Sequence, residues 1–147
     1  MPSFEKQIVV SAPADKVFGF LADFTRHGEW TQHRVEIRPE SQGPVGQGAA
    51  FTSRNHFMGR KIEDRLVVTE FVPNERLVYE ADGGTGQFRH QFWIQAADGG
   101  SQITKSIETL RLPLTGKILL PLLMIVAPRA LTGDLARIKA RLERRGT

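Results

Sequence analysis

The sequence predicts an α+β fold in which one strand, two short helices, six further strands and a long terminal helix follow one another. Three observations predict it. Residues 4–10 alternate in the manner of a half-buried strand and stop at Pro13. Between residues 50 and 112, alternating runs are separated by Gly59, Pro73-Asn74-Glu75, Asp82-Gly83-Gly84-Thr85-Gly86 and Asp98-Gly99-Gly100, which read as turns joining antiparallel neighbours. Beyond Pro128, Leu131, Leu135, Ile138 and Leu142 recur at i, i+4, i+7 and i+11, one face of a helix.

The elements follow in order. Pro13 suits a first helical turn, because its fixed φ and missing N–H are harmless there. Val17, Phe18, Leu21 and Phe24 then recur at helical spacing, which predicts a short amphipathic helix pair ending near Trp30. Residues 33–38 alternate as a second strand before the turn-rich stretch 39–48. Strands are predicted at 50–58, 60–72, 76–81, 87–97 and 102–112, giving seven in all. From Thr115 to Val126 the chain is almost continuously apolar. This run begins a terminal helix disturbed at Pro121 and Pro128, with a kink or break expected just before Pro128. The stretch Ile118 to Leu131 is shorter than the roughly 20 apolar residues a membrane span needs and carries Arg129, so it reads as a core helix. Contact of its apolar cluster, Leu119, Leu120, Leu122, Leu123 and Met124, with a membrane is expected to be transient at most.

A chain of 147 residues fits one domain, 1–147, large enough to bury about two thirds of its unfolded surface. It has no cysteine, which excludes disulfides, thiolate metal sites and cysteine nucleophiles. The first residues lack the apolar core of a signal peptide, so a cytoplasmic protein is expected. The net charge of +4 is concentrated in Arg137, Lys139, Arg141, Arg144 and Arg145. Cations are favoured at a helix C-terminus by the macrodipole, so this stretch reads as a solvated helix face, and no nucleic-acid partner is expected.

The segments from Ser11-Ala12-Pro13-Ala14-Asp15 through Trp30, and Val68-Thr69-Glu70-Phe71-Val72-Pro73-Asn74-Glu75-Arg76-Leu77-Val78-Tyr79, resemble the START-like superfamily. This superfamily is also called Bet v 1-like, SRPBCC or polyketide cyclase/dehydrase. The resemblance covers nearly the whole chain and implies a helix-grip fold: a curved seven-stranded antiparallel sheet around the long C-terminal helix, enclosing a ligand cavity. It implies little about reaction, since the superfamily contains cyclases, hydrolases and lipid carriers. Glu29-Trp30-Thr31-Gln32-His33 resembles the family's Trp-containing segment at the close of the helix pair. Trp30, His33 and His56 accordingly stand where the family lines its cavity, with Trp30 read chiefly as a core wedge. His33 shares its face with Val35 and Ile37.

Strand alternation puts Phe88, His90, Phe92 and Ile94 on one face, turned toward the terminal helix. A buried His90 would be neutral, able to orient a ligand carbonyl or hydroxyl or to move a proton, and it is the candidate catalytic residue. On the strand 60–72, Asp64 shares a face with Ile62, Leu66 and Val68. Its expected state is exposed and ion-paired; a buried one would need Arg54, His56, Tyr79 or His90 as partner. His27, between Arg26 and Glu29 in sequence, reads as solvated. Tyr79, Met124 and Leu131 complete the candidate ligand-binding set.

No nucleophile elbow, phosphate-binding glycine loop or metal-ligand spacing is present, so no cofactor and no metal are expected. Three functions follow. The first is binding of a hydrophobic small molecule, such as a lipid, an isoprenoid or quinone-like compound or an aromatic polyketide, in a cavity between sheet and C-terminal helix. The second is a cyclase/dehydrase-type acid/base enzyme using His90. The third is a macromolecular interaction protein using the basic C-terminal helix. Pairing of sheet edges in a homodimer is compatible with each.

Overall fold

The computed structural model describes residues 3–31, 35–40, 42–57 and 59–145. Among these residues the strands are β1 (Ser3–Val10), β2 (Val35–Pro39), β3 (Ala50–Phe57), β4 (Arg60–Val72), β5 (Arg76–Gly83), β6 (Gly86–Ala97) and β7 (Gly100–Arg111). A helix, α1 (Ala14–Ala22), and a 3₁₀ turn (Phe24–Glu29) connect β1 to β2. Two helices, α2 (Leu114–Ile118) and α3 (Leu120–Arg145), follow β7.

The strands form an antiparallel sheet of order β1-β7-β6-β5-β4-β3-β2. Chain neighbours from β2 to β7 are hairpin partners, and the helical connection after β1 carries the chain from one edge of the sheet to the other. Register shifts between Val68 and Glu70 and between Gln87 and Phe88 mark bulges, which bend a sheet and increase its twist. The resulting curved sheet grips the C-terminal helix.

Pairing defines the inner face of the sheet. Val68 lies opposite Tyr79, Tyr79 opposite His90, and His90 opposite Ile107. Phe92 lies opposite Lys105, and Leu66 opposite Ala81. Because side chains alternate across a strand, these rows share one side. They meet Val17, Phe18 and Leu21 of α1 and Leu135, Ile138 and Leu142 of α3 in the hydrophobic core.

The two halves of the terminal helical arm are held differently. Leu131, Leu135, Ile138 and Leu142 are buried. Polar contacts fasten the same half: Lys139 Nζ donates to Val9 O at 2.9 Å and to Glu143 at 2.7 Å, and Glu143 accepts the Ser11 amide at 3.0 Å. Arg137 Nε donates to Trp30 O at 2.7 Å. The cations expected to form a solvated face thus include two that tie the helix to β1 and to the end of the 3₁₀ turn. Their guanidinium and ammonium groups supply donors that backbone carbonyls leaving regular structure lack.

The break in the arm falls at Leu119, not before Pro128 as the sequence suggests. Pro121 occupies the first turn of α3, where no intrahelical N–H is required. Pro128 lies inside α3 and costs one hydrogen bond, but the helix continues through it. One donor lost on a helix anchored downstream by four buried apolar residues is not enough to end it.

Leu114 and Ile118 are 75% and 70% exposed, and Leu122, Met124 and Ile125 in the first two turns of α3 are exposed as well. Amides of residues 114–127 are expected to exchange at least ~100-fold faster than those of 131–142, since weakly packed segments open below the global unfolding free energy. Hydrogen–deuterium exchange read by mass spectrometry checks this; equal protection along the arm would contradict it.

Candidate functional site

A cavity of about 490 Å³ lies between the sheet and the arm formed by α2 and the first half of α3. That volume is within the range of small-molecule sites, roughly 300–1,000 Å³. Asn55, Ile62 and Asp64 line it from β3 and β4, and Phe88 and Ile107 from β6 and β7. The helical wall is a stripe of Leu119, Leu123, Val126, Ala130 and Asp134, spaced by three to four residues so that they fall on one side, with Leu131 beside them. The wall is therefore apolar, with carboxyl groups at Asp64 and Asp134.

Asp134 pairs with Arg137 at 2.6 Å. Asp64 has no such neighbour: its Oδ1 is buried without a hydrogen-bond partner among the described residues. Burial, with a smaller contribution from the charge on Asp82, raises its pKa. The exposed, ion-paired Asp64 expected from sequence is thus corrected. The face was assigned rightly, but Arg54 pairs instead with Glu63 on the outer surface. Gly83, opposite Asp64 in the register, leaves room for the carboxyl group; a side chain there would collide with Oδ1.

Next to the cavity the inner face is packed with aromatic and ionisable groups. Phe24, His27 and Trp30 succeed one another at a spacing of three along and just beyond the 3₁₀ turn, and all are buried. Three residues per turn place such positions on one side. His27 stacks on Phe24 at 4.4 Å, and its Nε2 lies 2.9 Å from Leu21 O. It is not solvated, as the flanking charges suggested; Arg26 and Glu29 point away and bond each other at 2.6 Å. Desolvation pushes the His27 pKa down to about 4, against the weaker opposing effect of its backbone bond.

Lys105 was not anticipated. Its side chain is buried, with Nζ 4.6 Å from the ring centre of Trp30 and 4.9 Å from that of Phe92. Burial pushes its pKa down to about 8, against the attraction of Asp134. The signal available in sequence was its place between Ile103 and Ile107 at a spacing of two.

The candidate residues separate into groups. Asp64, Phe88 and Leu131 line the cavity. Trp30, Tyr79 and Phe92 are buried in the adjoining core. His90 stacks on Tyr79 with ring centres 4.9 Å apart and planes at 5°. Desolvation drives its pKa far down, and its Nδ1 is buried without a partner among the described residues. Burial likewise pushes the Tyr79 hydroxyl strongly up. His56 lies opposite Lys61 on the outer, exposed face. Met124 is 53% exposed, and His33 lies outside the described residues.

The family model described as polyketide cyclase / dehydrase and lipid transport matches residues 1–143. The chain belongs to this family. Among curated proteins, none matches it in sequence. Solved structures share its fold. An aromatase/cyclase, Zhui, from a Streptomyces species aligns with a TM-score of 0.81 at 18% identity, covering 99% of this chain and 96% of that one. A Thermus thermophilus protein aligns at 0.80 and 15% identity, covering 99% and 100% of the two chains. The di-domain aromatase/cyclase StfQ of the steffimycin biosynthetic pathway aligns at 0.78 and 17% identity, over 98% of this chain and 51% of that one. At these identities the likeness establishes the helix-grip architecture. Among the described residues, no helix is long and apolar enough to cross a membrane, and no cluster of His, Asp and Glu has the makings of a metal site.

Proposed function

We propose that this chain binds a hydrophobic small molecule, of the lipid, isoprenoid or quinone-like, or aromatic polyketide kind, in the cavity between its sheet and C-terminal helix. The observation that carries this reading is the cavity itself: about 490 Å³, walled by side chains such as Ile62, Phe88, Ile107, Leu123 and Leu131. Such a wall gains from covering an apolar body and offers few polar groups to hydrate water. The family description, which joins cyclases to lipid transport, and the aromatase/cyclase neighbours are compatible with it.

Binding is favoured over proton transfer by His90. A general base needs hydrogen-bond reach to its substrate and a group that orients it. His90 is not among the residues lining the cavity, and its neighbour Tyr79 meets it face to face.

The test is direct. Native mass spectrometry of the protein from its own host, followed by solvent extraction, is expected to reveal a stoichiometric hydrophobic passenger. In the purified and emptied protein, the neutral dye Nile red is expected to bind and fluoresce. Ala127→Trp, which projects an indole from the cavity wall, is expected to weaken that binding at least tenfold while leaving the far-ultraviolet dichroism unchanged. A dye that binds Ala127→Trp as well as the unmodified chain would place binding elsewhere and overturn the reading.

A further inference from the structure

The charged groups of the cavity wall among the described residues are both acids. Asn55, Asp64, Thr85, Thr115 and Asp134 contribute carboxyl, amide and hydroxyl groups, and among the described residues no Lys, Arg or His lines it. The two acids are not equivalent. Asp134 already accepts a hydrogen bond from Arg137 Nη2 at 2.6 Å, so its charge is compensated by the protein. Asp64 Oδ1 has no partner among the described residues, although it is buried and its side chain borders the cavity. Oδ1 is buried over Gly83, an acceptor left unbonded there is destabilising, and a ligand in the cavity that donates to the Asp64 carboxyl group offsets that defect.

Charge points the same way. The carboxyl of Asp64 feels the negative Asp82, and no cation of the described residues lies within ion-pair distance of it. The nearby cations are otherwise engaged: Arg54 with Glu63 at 3.1 Å and Arg111 with Asp82 at 2.8 Å. A carboxylate head group would thus meet a like charge at Asp64 and only the neutral donors of Asn55, Thr85 and Thr115, whereas a hydroxyl or ammonium would meet an acceptor left without a partner.

We propose that the cavity selects amphiphiles whose polar end donates a hydrogen bond, an alcohol, phenol or amine, to Asp64, and that it rejects carboxylates of the same chain length. This inference rests on the reading of the cavity as a ligand site. Within it, Asp64 sets the head-group specificity and the apolar stripe of α3 covers the tail.

The experiment compares three ligands with identical ten-carbon chains, 1-decanol, decylamine and decanoic acid, as competitors of Nile red at pH 7.5. Decanol and decylamine are expected to compete at least tenfold better than decanoate. In Asp64→Asn, which keeps the shape and removes the charge, decanoate is expected to come within about threefold of decanol, and decylamine is expected to compete less well than it does in the unmodified chain. Asp64→Leu is expected to weaken decanol and spare the dye. Decanoate competing as well as decanol in the unmodified chain, or an unchanged order in Asp64→Asn, would overturn the inference. The two levels fail differently: a dye that does not bind the unmodified chain removes the cavity reading and the inference with it. Three competitors of equal potency leave the cavity reading standing and remove the inference alone. Far-ultraviolet dichroism of each variant separates loss of binding from loss of fold.

Discussion

Lys105→Met is expected to stabilise the protein at pH 7 by about 2–3 kcal/mol, a rise in Tm of roughly 5–10 °C. The lysine stem lies in the core, and the residue as a whole is only 2% exposed. Its immediate neighbours are the faces of Trp30 and Phe92, whose attraction for a cation is about 1–2 kcal/mol. Desolvation outweighs the attraction of Asp134, and the pKa falls from 10.5 to about 8. A shift of this size corresponds to about 3 kcal/mol by which the protonated lysine opposes folding. Methionine fills a similar volume without charge and keeps a favourable sulfur–aromatic contact.

The pH dependence identifies the cause. Between about pH 8 and 10.5 the unfolded chain holds the lysine proton and the folded chain has released it, so stability of the unmodified protein rises with pH through that window. Lys105→Met is expected to lack this rise. Guanidinium unfolding at pH 7, 9 and 10 measures it. A variant that is less stable at pH 7, with the alkaline rise still present, would mean that another group titrates and that the ammonium is compensated within the fold.

What could be read from sequence and what could not differ for a physical reason. Alternation with period two and the glycine-rich turns specify strands and their inward faces, and those faces for Asp64 and Phe88 hold in the structure. The same rule applied to β7 would have turned Lys105 inward, but a lone cation on an apolar face is usually priced as an outward residue. His27 reads as solvated when only its charged neighbours in sequence, Arg26 and Glu29, are weighed. The 3₁₀ turn changes the period to three and gathers Phe24, His27 and Trp30 on one buried side. The cavity was legible only through the family resemblance. Which residues line it depends on where the α2–α3 arm crosses the sheet, a tertiary relation that leaves no local mark. For that reason Trp30, Tyr79 and Phe92, inward by pattern, belong to the packed core, while Ile62, Ile107 and Leu123 border the open space.

Acidification from pH 7 to pH 5 is expected to cost the fold about 2 kcal/mol through His27 alone. Its pKa is 6.5 in an ordinary environment and about 4 in the folded chain, where the neutral imidazole bonds Leu21 O and lies against Phe24 and Trp30. Between these values the unfolded chain binds a proton that the folded chain does not, so stability falls as the pH drops through the window. It falls no further on this account below about pH 4, where both states are protonated. His90 acts with the same sign, its pKa being lowered by desolvation and by the nearby Lys105 and His27. Asp64 acts with the opposite sign. Its raised pKa means that the folded state holds the carboxyl proton more tightly, so acidification through its range favours folding and offsets part of the loss. The three effects are separable by substitution. His27→Gln retains an amide able to donate to Leu21 O and does not titrate, so its stability is expected to vary about 2 kcal/mol less between pH 7 and pH 5 than that of the unmodified chain. His90→Phe preserves the stacking on Tyr79, removes the unpartnered Nδ1, and is expected to flatten the profile further without loss of stability at pH 7. Urea unfolding across that pH range measures both. A His27→Gln variant with the slope of the unmodified protein would show that the acid sensitivity originates outside the aromatic core.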